Sequence, residues 1–144
     1  MIRCAMQVTA ALLLSSLPLT AQNADQGSTA SLHRQGPHAL EGWTLDTFIP
    51  GHGTERYPHT LIIAAHGKVL HRFDGPAFFI WNWMFQDDGK QVAYESGPLH
   101  FSLTCVLADV RTGRQLADYD CFRELPADAP PWVKELEHWS AKPH

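Results

Sequence analysis

The sequence predicts an all-β fold: an antiparallel meander of six or seven strands, propeller-blade-like, with a short C-terminal amphipathic helix. Three observations lead there. Between residues 43 and 119, short apolar runs follow one another through turns bearing Gly, Pro and Asp, with no helical pattern between them. Parallel neighbours would need a crossover of a dozen or more residues, so strands adjacent in the chain pair antiparallel. Only the stretch 128–139 places its apolar residues at helical spacing.

The elements follow in order. Met1–Ile2–Arg3 carries one positive charge, and an uncharged, apolar-rich run extends from 5 to 19. Pro18 breaks that run, and Ala21 offers a small residue for cleavage. This is the order of a secretory signal peptide over residues 1–21. The run is shorter than the ~18–20 residues a membrane span needs, so the mature chain is expected to have no span. Residues 22–40 are polar, rich in Gly, Ser, Gln and His, and without periodicity. They are expected to form a disordered leader. The single domain is then 41–144, within the usual size of one unit.

Residues 43–49 suit the first strand, and a Gly/Pro loop runs through Pro58. Strands at 60–65 and 69–73 flank His66–Gly67, a two-residue hairpin signal. Further strands are expected at 78–85, 91–96, 101–110 and 115–119. In the last segment, Asp128 and the prolines after it suit a helix start. Positions 132, 133, 136 and 139 share one face, which should bury Trp132, Leu136 and Trp139 against the sheet.

The turn at Asp88–Gly89 sets a register. Whether its loop has two residues or four, Gln86 meets Gln91 and Phe85 meets Val92. Trp81, Trp83 and Phe85 then share a face with Val92 and Tyr94, an aromatic core or binding face. Ile80, Asn82, Met84, Ala93 and Glu95 take the other. Each buried aromatic ring contributes about 2–3 kcal/mol. The run from Phe78 to Phe85 is apolar on both faces and needs cover on both. In the next hairpin, Asp109 is placed to accept hydrogen bonds from turn amides, and Gly113 to take a left-handed conformation.

Together the two hairpins resemble one blade of the TolB-like, WD-repeat-like β-propellers, over about residues 79–119. Phe85, Asp88–Gly89–Lys90 and Val92–Ala93–Tyr94 match the aromatic, turn and apolar strand of such a blade. Asp109 and Thr112–Gly113 match its second turn. Asp87 stands where the family has Pro. The resemblance implies local strand structure and brings no catalytic residue with it. No second copy of the motif is evident, and radial closure takes four or more blades. A closed propeller is therefore excluded for one chain.

Composition narrows the function. The chain has 144 residues, with 11 Lys and Arg against 15 Asp and Glu. Cleavage after Ala21 removes one cation, Arg3, and no acid, leaving about −5 at neutral pH. That balance argues against nucleic acid or an anionic membrane surface as partner. Cys105 and Cys121 are the cysteines of the mature chain, and in an exported protein the pair reads as a disulfide. The alternative is two buried thiols. Closing a loop of about 15 residues would stabilise by roughly 3 kcal/mol.

All nine histidines fall in the mature chain. His59, His66, His71 and His100 are the candidate metal ligands, since imidazole is a common donor. Their spacing crosses a loop, a hairpin tip and separate strands, so convergence does not follow from it. Nucleophile-elbow, zinc-helix and phosphate-loop motifs do not occur, and the sequence singles out no catalytic residue and no cofactor. A non-enzymatic binding or protein-interaction module is the leading expectation, engaging a protein or small ligand. A histidine-based metal protein or enzyme is the alternative. Self-association through an open sheet edge is a third course.

Overall fold

The computed structural model describes residues 29–48, 51, 53–74, 79–98 and 102–140. The expected signal peptide, 1–21, lies outside them. The strands are β1 (Thr29–Gln35), β2 (Leu40–Phe48), β3 (Arg56–Ala65), β4 (Lys68–Asp74), β5 (Phe79–Gln86), β6 (Gln91–Gly97), β7 (Thr104–Asp109) and β8 (Gln115–Asp120). One helix follows, α1 (Pro131–Ser140). The described chain is all-β and antiparallel with a short C-terminal helix. Its meander is divided into two four-stranded sheets, ordered β1-β2-β3-β4 and β5-β6-β7-β8.

The division follows from β5. A strand apolar on both faces cannot lie in a sheet open to water on one side. The first sheet covers one face: Leu61, Ile63 and Phe73 meet Ile80, Trp83, Val92, Tyr94 and Val106 in one buried cluster. Helix α1 covers the other: Val133 and Leu136 pack with Ala93, Cys105 and Leu107. The result is three layers, with the second sheet in the middle. Val133 and Leu136 are fully buried and Trp132 packs beside them. The side chain of Trp139 lies outside the described residues.

Strand β1 corrects the expected leader, since Thr29–Gln35 falls within 22–40. Its alternation is broken by a bulge: Ser31 pairs with Thr44 and Arg34 with Gly42, so Leu32 and His33 together oppose Trp43. A bulge erases the period-2 signal by which strands are read. Leu32 takes φ 44° there, and its carbonyl accepts the Trp83 indole N–H at 2.9 Å. The strand is held by tertiary contacts that local sequence does not display.

The β5–β6 register is Gln86 with Gln91, Phe85 with Val92 and Trp83 with Tyr94. A second bulge lies at Trp81, where the register shifts between Ile80 and Asn82. It exchanges the expected faces before it: Ile80, not Trp81, joins Trp83 in the core between the sheets. The half-buried Trp81 ring instead packs 5.3 Å from Phe79 and edge-on to Tyr57, and its indole donates to the Gly97 carbonyl at 3.0 Å.

Register also exposes a likeness between the last two strands of each sheet. Thr60–Leu61–Ile62–Ile63–Ala64 in β3 corresponds to Thr104–Cys105–Val106–Leu107–Ala108 in β7. After the turns, Gly67–Lys68 corresponds to Gly113–Arg114, Leu70 to Leu116, and Phe73–Asp74 to Tyr119–Asp120. The turns differ in length, which hides the likeness from a search at a fixed period.

Candidate functional site

Turns of both sheets meet at one end of the molecule. The turn 36–39 is closed by Gly36 N–H to the Leu40 carbonyl (2.8 Å) and Leu40 N–H to the Pro37 carbonyl (3.0 Å). It rests on the β5–β6 turn. Gly89 is buried there, and any side chain on it would meet Leu40 and Pro37. His38 Nε2 lies 2.8 Å from Asp88 Oδ2 across the two turns, and hydrogen bonding by His38 holds the Asp88 carboxyl below its ordinary range. The β7–β8 turn joins through Val110 N–H, which donates to the Lys90 carbonyl at 2.9 Å.

Beside this junction lies a groove of about 410 Å³, lined by Arg34, Gln35, Gly36, Pro37, Met84 and Phe85. It runs between the end of β1 and the end of β5, each the outermost strand of its sheet. Phe85 packs on the inter-sheet core, and Met84 packs on the cluster under α1. The groove thus wraps the free edge of β5. The Gly36 backbone closes on the Phe85 ring so tightly that a Cβ there would lie 2.5 Å from it.

Arg34 brings the charge to this groove. Its Nη2 donates to Asn82 Oδ1 at 2.8 Å, and its guanidinium carbon lies 5.7 Å from the centre of the Trp83 ring. Such placement gains both a charge-assisted hydrogen bond and cation–π attraction. Asn82 is buried and also donates to the Leu136 carbonyl of α1 at 3.3 Å. Trp83 is fully buried, stands edge-on to Phe85 at 5.2 Å, and would be struck by a side chain at Gly42. Burial lowers the Arg34 pKa, though a guanidinium stays charged at any ordinary pH. On the Met84 side, Gln86 Nε2 donates to Glu135 Oε2 of α1 at 2.8 Å. The arrangement can hold an anion against an apolar wall.

The residues singled out from sequence fall in several places. Cys105 and Cys121 form a disulfide, with Cα atoms 5.8 Å apart and S–S 1.98 Å. Cys105 pairs with Tyr119 in the ladder, and Cys121 N–H donates to the Leu103 carbonyl beyond it. Asp109 Oδ1 accepts from Thr112 N–H and Thr112 Oγ1, both at 2.7 Å, which holds its carboxyl below the ordinary range. Gly113 has φ 69° and Gly89 φ 82°. Asp88 is left-handed too, at φ 52°. Of the aromatic set, Trp83 and Tyr94 are buried in the inter-sheet core, Phe85 borders the groove, and Trp81 sits in the separate cluster with Phe79 and Tyr57.

The described candidate metal ligands, His59, His66 and His71, lie in separate surroundings. His59 lies beside its neighbour Thr60, with Nδ1 and Oγ1 3.1 Å apart, and His66 is exposed at the β3–β4 turn. His71 packs on Phe73 with ring centres 4.7 Å apart. His100 lies outside the described residues. Among the described residues, no three His, Cys, Asp or Glu side chains gather at metal distance. No helix among them is long and apolar enough to cross a membrane.

Sequence reasoning missed Arg34, Gly36 and Pro37 because they lie in the segment expected to be disordered. The Gly36–Pro37 pair was the available turn signal. Comparison with protein-family models, curated proteins and solved structures finds no match to this chain.

Proposed function

We propose that this chain is an exported, non-enzymatic binding module whose ligand occupies the groove between β1 and β5. The observation that carries this is the pairing of one fixed guanidinium, Arg34, with the apolar side chains of Met84, Phe85 and Pro37. Small-molecule sites are concave and mostly apolar, about 300–1,000 Å³, with a few placed polar groups. The groove matches that description in volume and lining. Export is supported by the order of charge, apolar run and small residue over 1–21, and by the Cys105–Cys121 bond. The blade-like reading draws support from a four-stranded antiparallel meander that contains both matched turns.

The test is a nuclear magnetic resonance titration of the mature chain with a library of small aromatic and aliphatic ligands. Saturable shifts confined to 34–37 and 84–86 are expected for a subset. A library that moves no resonance in these two segments would remove the groove as the binding site.

A further inference from the structure

Building on that assignment of the groove, we propose that its ligand is a small organic monocarboxylic acid with an apolar tail, its carboxylate on Arg34. The guanidinium offers a planar fork that matches a carboxylate in two parallel hydrogen bonds. Its orientation is set in advance by Asn82 on one side and the face of Trp83 beneath. A pre-oriented group loses less freedom when a ligand binds.

The charge must be single. Among the described lining residues, Arg34 is the one cation. The carboxylate of Glu135, bound to Gln86 next to Met84, adds negative potential on the far side. A phosphate dianion would bring two negative charges to one described cation and a nearby anion, whereas a monocarboxylate brings one. From that end, Met84, Phe85 and Pro37 supply thioether, ring and pyrrolidine contacts for a tail. Aromatic and sulfur groups of this kind pack well on an aryl or alkyl chain. The lining comes from two short segments, 34–37 and 84–85, which suits a compact free acid better than an extended peptide.

Three probes decide it: 4-phenylbutyrate, its neutral amide, and an acetylated tripeptide ending in phenylalanine. Each is titrated into the mature, disulfide-bonded chain and followed by resonances of 34–37 and 84–86. The acid should bind at least about tenfold more tightly than the amide, as a charge-assisted pair is stronger than a neutral one. Arg34→Gln should abolish that difference, and Arg34→Lys should restore part of it. Equal binding of acid and amide in the groove would overturn the carboxylate assignment and leave the groove itself intact. Shifts from none of the three probes would overturn the carboxylic-acid assignment, and the groove itself would then stand or fall by the wider library. Tripeptide binding tenfold tighter than the small acid would transfer the site to protein C termini and overturn the free-acid assignment. The comparison of acid with amide uses the unaltered chain, so it holds even where an Arg34 variant fails to fold.

Discussion

The imidazole of His71, on β4 of the first sheet, fills the space a side chain at Gly113, in the β7–β8 turn of the second, would occupy. The two sheets are therefore locked at this corner by a ring seated on bare backbone. Gly113 serves two purposes, since its φ of 69° also suits the turn. Gly113→Ala should destabilise by about 1–3 kcal/mol from left-handed strain and the displaced ring. In a His71→Ala background the same change should cost less, because only the backbone term remains. Urea midpoints of the four proteins measure this, and equal costs in both backgrounds would show that the ring does not matter.

Gly89 makes the corresponding contact at the other corner. Its φ is 82°, and a Cβ would lie 2.5 Å from Leu40 Cδ1 and 2.9 Å from Pro37 Cγ. Gly89→Val should cost on the order of 1–3 kcal/mol or more, since overpacking adds to strain. Because Pro37 lines the groove, the variant should also move resonances of 34–37. A melting temperature unchanged from wild type would mean the two turns do not dock as described.

Sequence made the turn residues legible but not the reason for them. Asp88–Gly89 and Thr112–Gly113 announce themselves by composition, and the pairing of Phe85 with Val92 follows from counting. Nothing local says that Pro37 and His71, far away in the chain, rest on those glycines. The bulges at Leu32 and Trp81 were invisible for a related reason: one extra residue inverts every face beyond it. That inversion put Ile80 in the core and Trp81 out of it. The groove was the least legible feature, because Arg34 and Gln35 belong to a strand with no alternating pattern. Its chemistry arises only where Arg34 crosses to Asn82 and Trp83 of the other sheet.

The Cys105–Cys121 bond should matter most to the last strand and the helix. Cys105 belongs to the cluster under α1, and Cys121 and Leu125 pack against it on the way to Pro131. Reduction, or replacement of both cysteines by Ala, should lower stability by roughly 3 kcal/mol, as expected for closing a loop of about 15 residues. Hydrogen exchange should show protection falling first in 115–137, while β2 and β3 keep theirs. Uniform loss across both sheets would argue that the bond stabilises only the unfolded-state balance and anchors no particular element.

Tyr94 predicts an alkaline limit to stability. Its side chain is buried between the sheets, 6.0 Å from the Phe73 ring centre. Burial, with the charge of Asp74 added, pushes its pKa up to about 12. The unfolded chain releases that proton near pH 10, so the folded state holds it more tightly. The stability this provides is fully present below about pH 10 and is lost as pH rises towards 12. Tyr57 is raised as well, by its hydrogen bond to Glu55, but that hydrogen bond is exposed and contributes little. The informative quantity is a difference between proteins. Urea midpoints of wild type and Tyr94→Phe, taken at pH 8, 10 and 11.5, should converge or cross as pH rises, because Phe has no proton to lose. A gap that stays constant across that range would mean the Tyr94 hydroxyl reaches water in the folded state.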